Sequence, residues 1–118
     1  ACALRPDRSE VVLCRDDFPT DRYVAASVAR ELGLSLRWVE VDPAAGVTPE
    51  SVAAQLSERT ACVLLSHVAY RSAWLADAPA ITAAAHDAAL AFGRARRRHR
   101  LPSPTRWRAC SATARSRR

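Results

Sequence analysis

The sequence predicts an α/β fold, a partial parallel sheet with flanking helices, followed by a basic tail. Three observations carry that expectation. Short apolar runs alternate with stretches of helical periodicity through the first 88 residues, which is the pattern of βαβ units. The run Ala61-Cys62-Val63-Leu64-Leu65 is apolar at every position, as expected of a strand covered on both faces of a parallel sheet. The charge also divides in two: residues 1–87 hold eight Arg against twelve Asp and Glu, whereas residues 88–118 hold ten Arg and no acid. The expected organisation is a partial domain over 1–92 and an arginine-rich, disordered tail over 93–118.

Each element has its own local reason. Glu10-Val11-Val12-Leu13-Cys14 is a short apolar run suited to a buried strand. Thr20 offers an N-cap, Val24, Val28 and Leu32 share one helical face, and Arg30 and Gly33 supply a stop, so a helix is expected over 20–32. Residues 34–41, with Leu36, Trp38, Val39 and Val41, read as a second strand, and 42–46 as a turn. Thr48-Pro49-Glu50 places a cap, a first-turn proline and an early acid before a helix to about Leu56, with Val52 and Leu56 inward. The third strand is 61–65. An irregular segment over 66–77 then leads to a helix that begins at Asp77 or Ala78 and runs through Ile81, Ala84, Ala85 and Ala88, with an extension to about Arg98.

Composition narrows the function classes. No stretch approaches the roughly 20 apolar residues of a membrane span. The start, Ala1-Cys2-Ala3-Leu4-Arg5-Pro6, lacks the charged and apolar regions of a signal peptide, so a cytoplasmic location is the default expectation. Cys2, Cys14, Cys62 and Cys110 form no CxxC pair, which points away from metal and disulfide frameworks, and Cys14 and Cys62 read as small buried hydrophobes.

In open α/β sheets, ligands sit beyond the carboxyl ends of the strands. Residues 16–21 and 66–72 both fall there. Phe18 can cover a flat ring, Asp21 can pair with a protonated ring nitrogen, and Ser66 can bond a phosphate or ring oxygen. The plainer alternative has Thr20 and Asp21 capping a helix over a packed Phe18. His67, His86 and Arg71 read more simply as packing or solvated residues than as ligands, and Trp38 and Trp74 as core or interface aromatics.

The motifs themselves resemble a known family. Asp17-Phe18-Pro19-Thr20-Asp21-Arg22-Tyr23-Val24 is similar to the FPTDxYV segment of kynureninases, and Leu65-Ser66-His67-Val68-Ala69-Tyr70-Arg71-Ser72 to their LSHVxYRTG/S segment. Residues 76–88 resemble the DMxAITxxAHxAG stretch that follows, in the same order and spacing. The resemblance covers residues 10–88 and implies the middle of the large domain of a fold-type I enzyme of the aminotransferase class V type. It implies pyridoxal 5′-phosphate (PLP) as cofactor, L-kynurenine as substrate, and anthranilate and L-alanine as products, in tryptophan catabolism and NAD biosynthesis. It further implies a homodimer. Carried residue by residue, it makes Phe18, Pro19, Thr20, Asp21 and Ser66 cofactor contacts, with Phe18 stacked on the pyridine ring and Asp21 at its nitrogen.

The chain departs from the family at several positions. All eighteen basic residues are arginine, so the lysine that binds the cofactor covalently in the family is absent and no catalytic residue is assigned. Ala73 stands where the family has glycine, which predicts a strained turn, and Ala78 stands where it has methionine. The family's W-D-L-[AS]-H and S-Y-K segments do not follow residue 88. A reading-frame shift near Ala88 in a GC-rich gene is the expectation for the tail, tested by the downstream DNA in all three frames, and the chain is expected to be inactive alone. Two alternatives stand beside this reading. One is another PLP-dependent class V aminotransferase or cysteine desulfurase relative. The other is a nucleic-acid-binding module through the ten arginines, against which the absence of a folded pattern in the tail counts.

Overall fold

The computed structural model describes residues 6–99. The tail beyond residue 99, with the disorder expected there, lies outside the described residues, as do Cys2 and Cys110. Six elements follow in chain order: β1 (Glu10–Cys14), α1 (Pro19–Leu32), β2 (Ser35–Val39), α2 (Pro49–Ala53), β3 (Thr60–Leu64) and α3 (Ala78–His99). The strands form one parallel sheet in the order β2-β1-β3. Val11 pairs with Leu36 on one side and Cys62 on the other, with an irregularity between Glu10 and Val11 on the β3 side.

Burial follows from that order. β1 is central and buried at all five positions. Val12 is fully buried and joins Val39, Val47, Val52, Ala76 and Ile81 in a core, with Val41, Leu56, Val63 and Leu65 packed against it. Alternation along a strand sends successive side chains to opposite faces, so Val12, Val39 and Val63 meet the α2 and α3 layer. Val11, Leu36 and Leu64 face the α1 side, where they line a cavity with Val24 and Val28. Fully burying a side chain such as Val12 stabilises the fold by about 1.5–3 kcal/mol.

Three expectations are corrected. Thr20 does not cap α1: the N-cap is Phe18, which makes no side-chain cap bond, and Pro19 begins the helix. The fixed proline φ suits the first helical position, and the Phe18 carbonyl accepts from the amides of Asp21 (3.0 Å) and Arg22 (3.3 Å). The apolar face of α1 is not packed away, since Val24, Val28 and Leu32 are all exposed. Likewise β3 is not covered on both faces: it is an edge strand, and Leu64 is 47% exposed.

Other local readings hold. Thr48 caps α2 through a reciprocal pair, its hydroxyl accepting from the Ser51 amide and the Ser51 hydroxyl accepting from the Thr48 amide. The helix itself ends at Ala53, short of Leu56. The Asp77 carboxylate accepts from the Ala80 amide (2.9 Å) and so starts α3, which continues across Gly93 to His99, so that residues 93–99 are helical and not part of the disordered tail expected from residue 93. Gly33 closes α1 in the left-handed conformation. Gly46, at φ +69°, lies against the indole of Trp74, which occupies the space a Cβ would need.

Candidate functional site

The carboxyl ends of β1 and β3 lie side by side because the two strands pair directly. The turn after β1 is closed on itself: the Asp17 amide donates to the Cys14 carbonyl (3.3 Å), and the Cys14 amide donates to Asp17 Oδ2 (3.1 Å). The segment after β3 folds back as a narrow loop. An antiparallel bridge joins Val68 and Leu75, the Ala69 amide donates to the Trp74 carbonyl, and the Ala76 amide donates to the His67 carbonyl. Ala73 turns the tip at φ +56°, the strained left-handed conformation expected at this position.

Three consecutive residues of the first turn reach across to this loop. Asp16 Oδ1 pairs with Arg71 Nε at 2.8 Å, with the Asp16 side chain largely buried. Asp17, 5% exposed, accepts from the Ser66 amide through Oδ1 at 2.9 Å. The Phe18 ring meets the Tyr70 ring edge to face, with centroids 5.1 Å apart and planes at 80°. Arg15 extends the rim outward, stacking over Trp38 at 4.5 Å and pairing with Glu40 at 3.1 Å.

The sequence-predicted residues fall as follows. Phe18 is 49% exposed at the head of α1, leaving its ring accessible. Pro19, Thr20 and Asp21 form the first turn of that helix. A carboxylate there is favoured by the partial positive charge of the helix start. Asp21 and Ser66, distant in sequence, line one cavity of about 510 Å³ between α1 and the sheet. The rest of the cavity is apolar, formed chiefly by Val11, Val24, Val28, Leu36 and Leu64, with Asp17 beside Asp21 and Ser66. An aromatic ring, a carboxylate and a hydroxyl therefore stand at one end of the sheet. That donor set suits a flat, protonated heteroaromatic ring: the apolar wall takes the ring faces and the carboxylate takes the N–H.

His67 and His86 are exposed, and both line a second cavity beneath α3. Arg71 is committed to Asp16. Cys14 is buried, and loss of solvation pushes its thiol above the usual range, in keeping with a packing role; Cys62 is half-buried. Among the described residues no group of three or more His, Cys, Asp and Glu could hold a metal, and no helix is long and apolar enough to cross a membrane.

Sequence reasoning passed over Asp17 and Tyr70. The available signal for Asp17 was its place as the last polar residue between an apolar strand and Phe18. Its partner, Ser66, lies 49 residues away and could not be read from local pattern.

No family model matches the chain. Its sequence is similar to the kynureninase of Pseudomonas fluorescens, 34% identical over 84 residues, covering 70% of this chain and 18% of that protein. It is also similar to the kynureninase of Deinococcus radiodurans, 42% identical over 87 residues, covering 73% of this chain and 20% of that protein. The chain thus spans about a fifth of the length of the curated relatives it matches. Among solved structures, the cystine C–S lyase C-DES in complex with cysteine persulfide superposes with a TM-score of 0.59 at 22% identity, covering 65% of this chain and 21% of that one. A mutant of C-DES with glycine covalently linked to its PLP cofactor gives 0.60 at 22% identity, over 65% of this chain and 20% of that one. These superpositions establish a shared fold.

Proposed function

Because the chain is kynureninase-like over about 70% of its length, we propose that it forms the ring-holding side of a PLP site. The reaction such a site serves is the hydrolysis of L-kynurenine to anthranilate and L-alanine, in the cytoplasm and in a homodimer; these 118 residues, which include no lysine, are inactive alone. The observation that carries this reading is the meeting of the two matched segments at one end of the sheet, where Asp21 and Ser66 line a single cavity beside the accessible Phe18 ring.

Each residue has a defined task. Phe18 offers a ring face against the pyridine. Asp21 accepts the pyridine N–H and holds that proton on the nitrogen, and Pro19 and Thr20 set the turn that aims it. Ser66 contacts a polar substituent of the ring. The apolar wall keeps water from the ring faces. When bound, PLP supplies an electron sink that makes bonds near the substrate amine labile. With no lysine among its 118 residues, the chain has no side chain that can take the cofactor covalently, so its own contribution is binding and orientation. Both alternative readings are less favoured, because the curated relatives are kynureninases.

The test uses pyridoxine 5′-phosphate, which keeps the ring, its nitrogen and the phosphate but has no aldehyde to react with the N-terminal amine. Titrated into the ¹⁵N-labelled full chain, it is expected to shift the amides of Phe18, Asp21 and Ser66. Asp21→Asn should weaken binding at least tenfold, about 1.4 kcal/mol. Absence of binding, or equal binding by the variant, refutes the reading.

A further inference from the structure

We propose that Asp17 is a positioning residue that sets the distance between the two sides of this site, Phe18 on one loop and Ser66 on the other. The inference rests on the cofactor-site reading above and adds a residue which that reading does not use.

The argument begins with where the sheet stops. The parallel ladder between β1 and β3 ends at Leu13 and Leu64. Beyond it the strands no longer offer each other carbonyls, yet the Ser66 amide still needs an acceptor. Asp17 Oδ1 supplies one at 2.9 Å, so a side chain extends the ladder past its last backbone pair. The second oxygen is held by its own strand, accepting from the Cys14 amide at 3.1 Å. A carboxylate has two equivalent acceptors and no donor, which is what two converging N–H groups require.

Position makes the bridge consequential. Asp17 is buried, and the residue after it is Phe18, the N-cap of α1. Any shift of the carboxylate is transmitted through one peptide unit to the Phe18 ring and the start of α1. The neighbouring cross-links, Asp16 to Arg71 and Phe18 to Tyr70, reach the tip of the β3 loop, whereas Asp17 alone of the three reaches its base at Ser66. The tip contacts involve exposed partners, Arg71 and Tyr70. The base contact is the more buried, with Asp17 5% exposed and Ser66 half-buried, and it fixes the part of the loop that lines the cavity with Asp21.

The experiment compares the full wild-type chain with Asp17→Asn by amide hydrogen exchange, ring NOEs and titration with pyridoxine 5′-phosphate. Asparagine keeps one acceptor but places an NH₂ where the other stood, so it cannot serve both amides. The expected result is at least tenfold faster exchange at Ser66 and at least tenfold weaker binding, with exchange at Val12 and Leu13 unchanged. Unchanged Ser66 exchange, or wild-type binding by the variant, overturns the proposal. Should Asp17→Asn lose protection throughout β1, Asp17→Glu decides. That variant keeps both acceptors but lengthens the arm by one methylene, and a folded chain that binds at least threefold more weakly supports positioning. Wild-type affinity in Asp17→Glu, or loss of fold in both variants, overturns it. If the wild-type chain itself shows no binding, the cofactor reading fails separately. Asp17 is then judged on Ser66 exchange and the Phe18–Tyr70 ring contact, and its role falls if Asp17→Asn leaves both as they were.

Discussion

At the scale of single residues, Ala73 shows the physical cost of a side chain in a left-handed turn. Among the described residues it is the one non-glycine residue with positive φ, at +56°. A Cβ in that conformation crowds the following carbonyl and costs about 1–2 kcal/mol. The turn tolerates it because the loop is closed on both sides, by the Ala73 amide donating to the Ala69 carbonyl and the Ala69 amide to the Trp74 carbonyl. Ala73→Gly relieves the strain but gives back about 0.4–1 kcal/mol through the freer unfolded chain. The expected net outcome is a gain of about 0.5–1 kcal/mol, read as a higher urea midpoint with an unchanged slope. A loss of stability would mean that the left-handed turn is not populated in solution. The same loop carries Tyr70 and Arg71 against Phe18 and Asp16, so residue-scale strain and the candidate site share one piece of backbone.

At the scale of elements, the two faces of the sheet predict different tolerances. Val12 is fully buried beneath α2 and α3, whereas Val28 of α1 is 44% exposed above the cavity. Val12→Ala is expected to cost about 2–3 kcal/mol, as deletions in a packed core do. Val28→Ser should cost less than about 1 kcal/mol, as changes away from a packed core do. Chemical denaturation of the two variants checks this, and equal losses would show that α1 is packed as tightly as the core. The same contrast explains what was legible in the sequence. Element order and type followed from local signals: apolar runs for the strands, Thr48-Pro49 and Asp77 for helix starts, Gly33 for a stop. Boundaries shifted where two local rules competed, as when Pro19 started α1 ahead of the Thr20 cap. Coverage was not legible at all, because Val24, Val28 and Leu64 record what a surface could bury and not whether a neighbour lies on it. Phe18, Asp21 and Ser66 were readable as strand-end residues. Asp17 was not, since its task depends on a pairing of β1 with β3 that no local window contains.

At the scale of the whole molecule, the two ends of the sheet divide the work. The carboxyl end holds the candidate site, and the amino end holds the ionic tie that joins the strands. Glu10, almost fully buried at the start of β1, accepts from the Ser57 hydroxyl and from Arg59 Nε (2.9 Å) in the connection before β3, and faces Arg37 Nη1 of β2 at 3.7 Å. These contacts hold its carboxyl below its ordinary value of 4.5, the Ser57 bond first and then Arg59 and Arg37, against the opposing effect of burial. The unfolded chain therefore takes up this proton at higher pH than the folded one. The stabilisation is complete above about pH 4.5 and is lost as pH falls through the lower folded value. Arg59 and Arg37 are well exposed, which screens their share. Glu10→Gln is accordingly expected to cost about 1.5–3 kcal/mol at pH 7, the range for hydrogen bonds to a charged group. Urea midpoints at pH 7, 5 and 3 should show the gap between wild type and Glu10→Gln persisting at pH 5 and closing toward pH 3. A gap that stays constant across that range would mean that Glu10 is held by shape alone, and the amino end of the sheet would then need another account of what binds its three strands.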